Sequence, residues 1–184
     1  MIESERLWLR EWRQSDREPF AQMNKDLKVM KFLGPPRTRE QSDAAVEAQI
    51  ALMERGSPAF WAVERKQDAK FIGCIGVKTV KFEAPFTPCY EIGWRLAQEA
   101  WGKGYATEGA NSALKLAFGQ WDIKEIYSFT VPSNKASQAV MKKIGMKYVK
   151  DGDFKHPNLA ENDPLSQHVL YHISRETVLP GEPT

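Results

Sequence analysis

Cysteine is nearly absent from this chain: Cys74 and Cys89 are the only two in 184 residues. Two isolated thiols exclude a disulfide framework and a cysteine-built metal site, and they fit reduced thiols in a cytoplasmic setting. Long apolar runs are missing too. No segment approaches a bilayer span, and the first ten residues, MIESERLWLR, hold no apolar core of a signal peptide. Charge of one sign is also lacking: 26 Lys and Arg stand against 24 Asp and Glu. That balance offers no broad field for direct contact with nucleic acid or a membrane surface. What remains is an ordinary globular composition with no repeat or linker, read as one α+β domain over residues 1–176 and a frayed tail over 177–184.

Alternation predicts a strand at 7–12, with Leu7 and Leu9 on one face and Trp8, Arg10 and Trp12 on the other. Ser15 with Glu18 reads as a capping box opening a helix at 16–24. A short helical turn follows at 27–32, and GPP stops it. Thr38 with Gln41 opens a longer helix that Gly56 and Pro58 close. The texture then turns β-like: FWAVER and FIGCIGVKTV, a proline-bearing loop KFEAPFTP, then CYEIGWRL. A helix with a stripe of small residues begins near Tyr105, and EIYSFTV is the next strand. A short helix at 135–144 is capped by Gly145, and MKYVK and HVLYHI are the last strands, separated by a long polar loop at 151–167.

The turn between CYEIGWRL and the following helix carries the chemistry. Gly102, Lys103 and Gly104 stand at the mouth of a helix, where unpaired backbone N–H groups and the aligned peptide dipoles favour an anion. A P-loop is excluded because Lys103 is followed by Gly104 rather than Ser or Thr. A Rossmann fingerprint fails at Thr107, and at Glu125, which begins the next strand instead of ending it. Taken alone, two glycines before a helix also fit a plain tight turn. A second element lies downstream in VPSNKASQAVMKKIGM, where Asn134 occupies an N-cap position and Ser137 lies one turn into a helix. Simple capping by Asn134 also accounts for that pattern.

Together, EIGWRL, AWGKGYATEGA, VPSNKAS and KKIGM, preceded by RLWLREWRQSD, resemble the GNAT superfamily of N-acetyltransferases. Within it the chain is most similar to the branch containing the ribosomal-protein acetyltransferases RimJ and RimL. The resemblance covers nearly the whole chain. It implies a mixed, mostly antiparallel twisted sheet with helices on both faces and a splayed parallel strand pair. It also implies acetyl-CoA as cosubstrate, with no metal. Pantetheine would lie in the splay, along the backbone of Trp94, Arg95 and Leu96. The pyrophosphate would meet the amides of Trp101, Gly102, Lys103, Gly104, Tyr105 and Ala106, with Thr107 near and Asn134 on the other side. Two positions depart from the family pattern. Glu99 stands where Gln or Arg is usual, and Met141 stands where many members place a tyrosine acid.

Acetyl transfer needs a neutral amine, a polarised thioester carbonyl and a stabilised leaving thiolate. An aliphatic ammonium titrates near ~10, so a base or a desolvating pocket must take its proton. Glu91 is the best-placed carboxylate, with Asp153 and His156 as lesser candidates; a paired strand glutamate is the plain alternative. By resemblance, Ser137 serves the sulfur. The backbone N–H near Gly93 and Trp94 serves the oxyanion. His168 and His172 share a strand face but have no further ligands for a metal. The loop KFEAPFTP, the turn FLGPPRTR and the loop 151–167 are expected to rim the acceptor entrance. The expected function is acetyl transfer to a primary amine, with a protein or peptide N-terminus ahead of a small amine. The alternative is a non-catalytic acyl-CoA sensor or interaction domain. A homodimer is one option for the assembly.

Overall fold

The computed structural model describes residues 1–180. Nine strands build one sheet: β1 (Ile2–Glu3), β2 (Leu7–Arg10), β3 (Phe60–Arg65), β4 (Lys70–Val80), β5 (Cys89–Leu96), β6 (Glu125–Thr130), β7 (Lys147–Tyr148), β8 (Phe154–Lys155) and β9 (Gln167–Ser174). Their order is β1-β2-β3-β4-β5-β6-β9-β7, with β8 pairing β9. Every pairing is antiparallel except that of β5 with β6. The fold is the expected α+β one, the mostly antiparallel GNAT sheet with one parallel pair.

Six helices cover it: α1 (Arg17–Lys25), α2 (Leu27–Met30), α3 (Arg39–Glu54), α4 (Tyr105–Gln120), α5 (Lys135–Lys143) and α6 (Arg175–Val178). Helix α4 packs its small-residue stripe on one face of the sheet. There Ala110, Ala113, Leu114, Ala117 and Phe118 join Leu7, Leu9, Ile75, Ile92 and Ile126 in the larger core. Gly109 lets that contact close, because a Cβ on it would fall 2.5 Å from Ile75 Cδ1 and push the end of that side chain aside. On the opposite face, α1 and α3 bring Phe20, Met23 and Val46 against Trp12, Ala62 and Cys74. Arg10 is buried there as well. It donates to Asp16 at 2.7 and 2.8 Å and to Glu64 at 2.7 Å, so its charge is compensated twice over.

Several local expectations need correction. The box at Ser15 and Glu18 does not form; Asp16 Oδ2 instead accepts from the Arg13 amide at 2.7 Å. A 3-10 turn at Gln14–Asp16 then precedes α1. Strand β2 ends at Arg10, and Trp12 lies beyond it in the smaller core. Thr38 and Gln41 do form their reciprocal cap. Strands β1 and β8 and helix α6 are additions, each too short to carry a readable period. Helix α6 takes in Thr177 and Val178, the first two residues of the expected tail 177–184, of which 181–184 lie outside the described residues.

Candidate active site

Strand β5 is paired with β4 along its whole length, from Val80↔Cys89 to Gly73↔Leu96. Toward β6 it has a single register contact, Glu91↔Tyr127. Past that point the strands diverge, and the β6-facing backbone of Gly93, Trp94, Arg95 and Leu96 has no strand partner. A strand edge of this kind can accept a ligand's amides as a further strand would. Trp101 closes the end of it, its indole Nε1 donating to the Leu96 carbonyl at 2.8 Å.

The chain then enters the glycine turn. Gly102 and Gly104 have φ of +73° and +83°, a left-handed region that side chains resist. Residues 101–104 are exposed. Gly104 is the N-cap of α4 and offers no side-chain cap, so the amides of Tyr105, Ala106 and Thr107 point outward unclaimed by a capping side chain. The turn is braced from behind. Arg6 donates to the Lys103 carbonyl at 3.0 Å and pairs with Glu108 at 2.7 Å. Lys103 itself is exposed, and Glu99 is held by Lys70 at 2.7 Å.

Across the gap, Asn134 caps α5. Its Oδ1 accepts from the Ser137 amide at 3.2 Å, while its Nδ2 donates to Thr130 Oγ1 at 3.0 Å and Ser137 Oγ at 3.1 Å. The hydroxyl of Ser137 therefore accepts from Asn134 and keeps its own hydrogen for another acceptor. Met141, at the position of the family's tyrosine, is 1% exposed and belongs to the larger core. No hydroxyl stands there.

Glu91 lies at the apex, just where the two strands part. Its side chain is 12% exposed, and Lys78 Nζ lies 3.0 Å from Oε2. That contact is an ion pair without hydrogen-bond geometry, since Oε2 is buried with no hydrogen-bond partner. Burial raises the pKa of Glu91, and Lys78 opposes the shift. A carboxylate pushed up in this way is suited to take a proton near neutral pH. Cys89, two residues earlier on the same face, is pushed up to about 11 by burial and by Glu91, which leaves it a poor nucleophile.

Beside Glu91 the sheet face carries two distinct surroundings. On one side, Phe60, Gly76 and Gly93 form a row across β3, β4 and β5. The Phe60 ring lies over Gly93, where a Cβ would meet it at 3.0 Å. On the other side is an aromatic cluster. The loop between β4 and β5 sends Phe82 and Phe86 back over Phe129, Phe154 and His156, with ring centroids 4.6–6.2 Å apart. That segment, KFEAPFTP, and the loop before β9 thus pack together. His168 joins the same cluster, 5.3 Å from His156, and its Nδ1 lies 3.0 Å from the Ser166 carbonyl. Burial lowers the pKa of both histidines. His172 instead faces Glu125 and Tyr127. Asp153 acts on Tyr148, raising the pKa of its phenol. Among the described residues no group of three metal ligands occurs, and no helix is long and apolar enough to cross a membrane. A cleft of about 610 Å³, lined by Tyr90, Glu125, Tyr127, Phe86 and Ser174, opens at the beginnings of β5 and β6. It lies below the apex, at the opposite end from the glycine turn.

The glycine turn at a helix mouth and the Asn134 cap stand where the sequence placed them. The Lys78–Glu91 contact and the aromatic cluster were not anticipated, because their partners come from segments far apart in the chain.

A family model described as an acetyltransferase (GNAT) domain matches residues 6–147. Among curated relatives, YkkB of Bacillus subtilis is 35% identical over 92 residues, half of this chain and 52% of that protein. The FsC-acetyl coenzyme A-N(2)-transacetylase of Aspergillus fumigatus is 30% identical, over 87% of this chain and 70% of its own. The N-acetyltransferase YnaD of Bacillus subtilis is also 30% identical, covering 84% and 85%. Among solved structures, a GNAT-family acetyltransferase from Bacillus anthracis superposes with a TM-score of 0.76 at 28% identity, over 95% of this chain and 98% of that one. RimL, a ribosomal L7/L12 alpha-N-protein acetyltransferase solved with coenzyme A, gives 0.75 at 19% identity, over 93% and 95%. The spermidine N-acetyltransferase of Vibrio cholerae, solved with CoA and spermine, gives 0.74 at 19%, over 95% and 98%. At such identities the last two speak for the fold.

Proposed function

Because this chain belongs to the GNAT acetyltransferase family and is an acetyl-CoA-dependent enzyme, we propose that its acceptor is a primary amine, first of all a peptide or protein α-amino group, as in the RimJ/RimL branch. The observation that carries the reading is the buried, partner-poor carboxylate of Glu91 at the mouth of the strand gap. The residues present suit the cosubstrate: an unpaired strand edge for pantetheine and uncapped amides at a left-handed glycine turn for the diphosphate.

In this reading Glu91 accepts the ammonium proton, directly or through one water, and releases the nitrogen lone pair. The C–N bond forms at the thioester carbonyl as the C–S bond breaks. The amide near Gly93 and Trp94 donates to the oxygen that gains charge. Ser137, its oxygen already engaged by Asn134, hydrogen-bonds through its hydroxyl to the departing thiolate, and the second proton that the acylated nitrogen sheds makes up the free thiol of coenzyme A. No covalent enzyme intermediate is needed, in keeping with the protonated thiol of Cys89. A small amine is the second reading, favoured by the curated relative whose name specifies an N(2)-transacetylase and which this chain covers over 70% of its length. A thiol-release assay with acetyl-CoA and a panel of peptides, ribosomal proteins and small amines tests the proposal. Transfer to peptide α-amines is expected. Turnover confined to small amines would select the second reading, and tight cofactor binding with no transfer would restore the sensor.

A further inference from the structure

Arg95 stands four residues past Glu91 on the same face of β5. It closes a row that runs Arg10, Ala62, Cys74, Arg95 across four strands. Its Nη1 donates to Asn24 Oδ1 at 2.6 Å, and its Nε is buried with no partner. Asn24 is itself fully buried and tied to Ser42 Oγ at 3.1 Å, so the neutral contact is fixed in place. Among the described residues no carboxylate pairs with Arg95.

A second cation stands on the segment that Asn24 ties down. The Arg37 amide donates to the Asn24 carbonyl at 3.0 Å, which brings the turn after α2 over this end of β5. Burial lowers the pKa of Arg95, and Arg37 lowers it further. Arg37 is half-buried and likewise has no carboxylate partner among the described residues.

Two other arginines are treated differently. Arg10, buried, has Asp16 and Glu64 at 2.7 Å, and the partly exposed Arg39 has Asp43 at 2.7 Å. Guanidinium groups partly withdrawn from water without a counter-charge are unfavourable. Their forked donors are also the geometry that grips a carboxylate or phosphate. From this contrast we propose that Arg37 and Arg95 form an anion subsite beside the end of β5, taking a carboxylate or phosphate group carried by the amine substrate.

The position defines a ruler. Four residues of strand separate Arg95 from Glu91, about 13 Å of backbone, and the Phe60 ring lies between them over Gly93. An acceptor with its amine at Glu91 and its anion at the arginine pair spans about three or four extended residues. A polycationic amine is disfavoured at such a site. The amine end of this ruler rests on the proposed transfer to a primary amine; the anion end is testable without turnover.

Inorganic phosphate is titrated into the coenzyme A-saturated protein while the arginine Nε–H resonances are followed. A saturable shift of the Arg95 resonance is expected, weakened at least about tenfold by Arg37→Ala. Absence of a saturable shift, or a shift only when coenzyme A is left out, overturns the subsite, the latter by assigning the pair to the cofactor. Kinetics with two short peptides that differ only in Asp or Asn at the third residue form the second arm. A KM at least about tenfold lower for the Asp peptide is expected, with the ratio between the two peptides falling to near parity in Arg37→Ala. Equal KM values for the two peptides in the wild type overturn the link to the acceptor. Should no peptide be transferred at all, the peptide-amine reading fails, and the phosphate titration still decides the subsite.

Discussion

The glycine turn at 102–104 and the face around Glu91 would, on the proposed reading, meet their ligands in different ways. The turn offers backbone: amides aimed by two left-handed glycines, with Arg6 and Glu108 holding the rear. The face offers side chains drawn from β3, β4, β5, β6, β8 and β9 and the segments between them, with a buried acid, a cluster of rings and two uncompensated arginines. Backbone recognition suits a ligand that never varies, because its geometry depends on few side chains. Side-chain recognition suits a ligand that differs among relatives, since any one ring or charge can be exchanged while the sheet stands. On the proposed reading the same fold would hold one cosubstrate constant and leave the acceptor open to change.

The sharpest way to separate the halves is Glu91→Gln. Turnover should fall about 10²–10⁴-fold, the span of a lost general base, while acetyl-CoA affinity stays near wild type. In the native enzyme the rate should rise with pH as Glu91 ionises, at a pH above the ordinary carboxylate value because burial holds the proton on. That limb should vanish from the pH–rate profile of the variant; an unchanged profile would place the base elsewhere. On the other half, Gly104→Ala forces a side chain into a left-handed conformation at about 1–2 kcal/mol and sets a Cβ 3.3 Å from Arg6 Nη2. Calorimetry should show acetyl-CoA binding about tenfold weaker.

Ser137→Ala removes one hydrogen bond to a developing thiolate, worth about 1–1.5 kcal/mol, so kcat should drop about tenfold with little change in the acceptor KM. Asn134→Ala is the smallest and most informative of these. The residue caps α5, and losing the cap costs about 1 kcal/mol, or about 2–4 °C in melting temperature. Acetyl-CoA affinity should weaken as well. A lower melting temperature with unchanged affinity would leave Asn134 a cap alone.

The backbone half was legible in the sequence because its signals are local. Gly102 and Gly104 precede a helix within a few residues, and Asn134 and Ser137 lie one turn apart. The strands β3 to β6 were readable for the same reason, each being long enough to show its pattern. The side-chain half depends on register, which periodicity does not supply. Nothing in the spacing of Lys78 and Glu91 announces that they face each other across β4 and β5, nor that Arg37 comes to Arg95. The expected box at Ser15 and Glu18 failed because Arg10 draws Asp16 inward, a tertiary demand that outweighs a local motif.

Amide shift mapping with coenzyme A tests the central claim most directly. Perturbation should concentrate on the open edge of β5, from Gly93 to Leu96, and on the helix mouth at 102–107, with the amides of Phe60 and Arg37 nearly silent. Shifts centred instead on the cleft around Tyr90 and Glu125, or none at the glycine turn under saturating ligand, would contradict the assignment of the strand gap to the thioester cosubstrate.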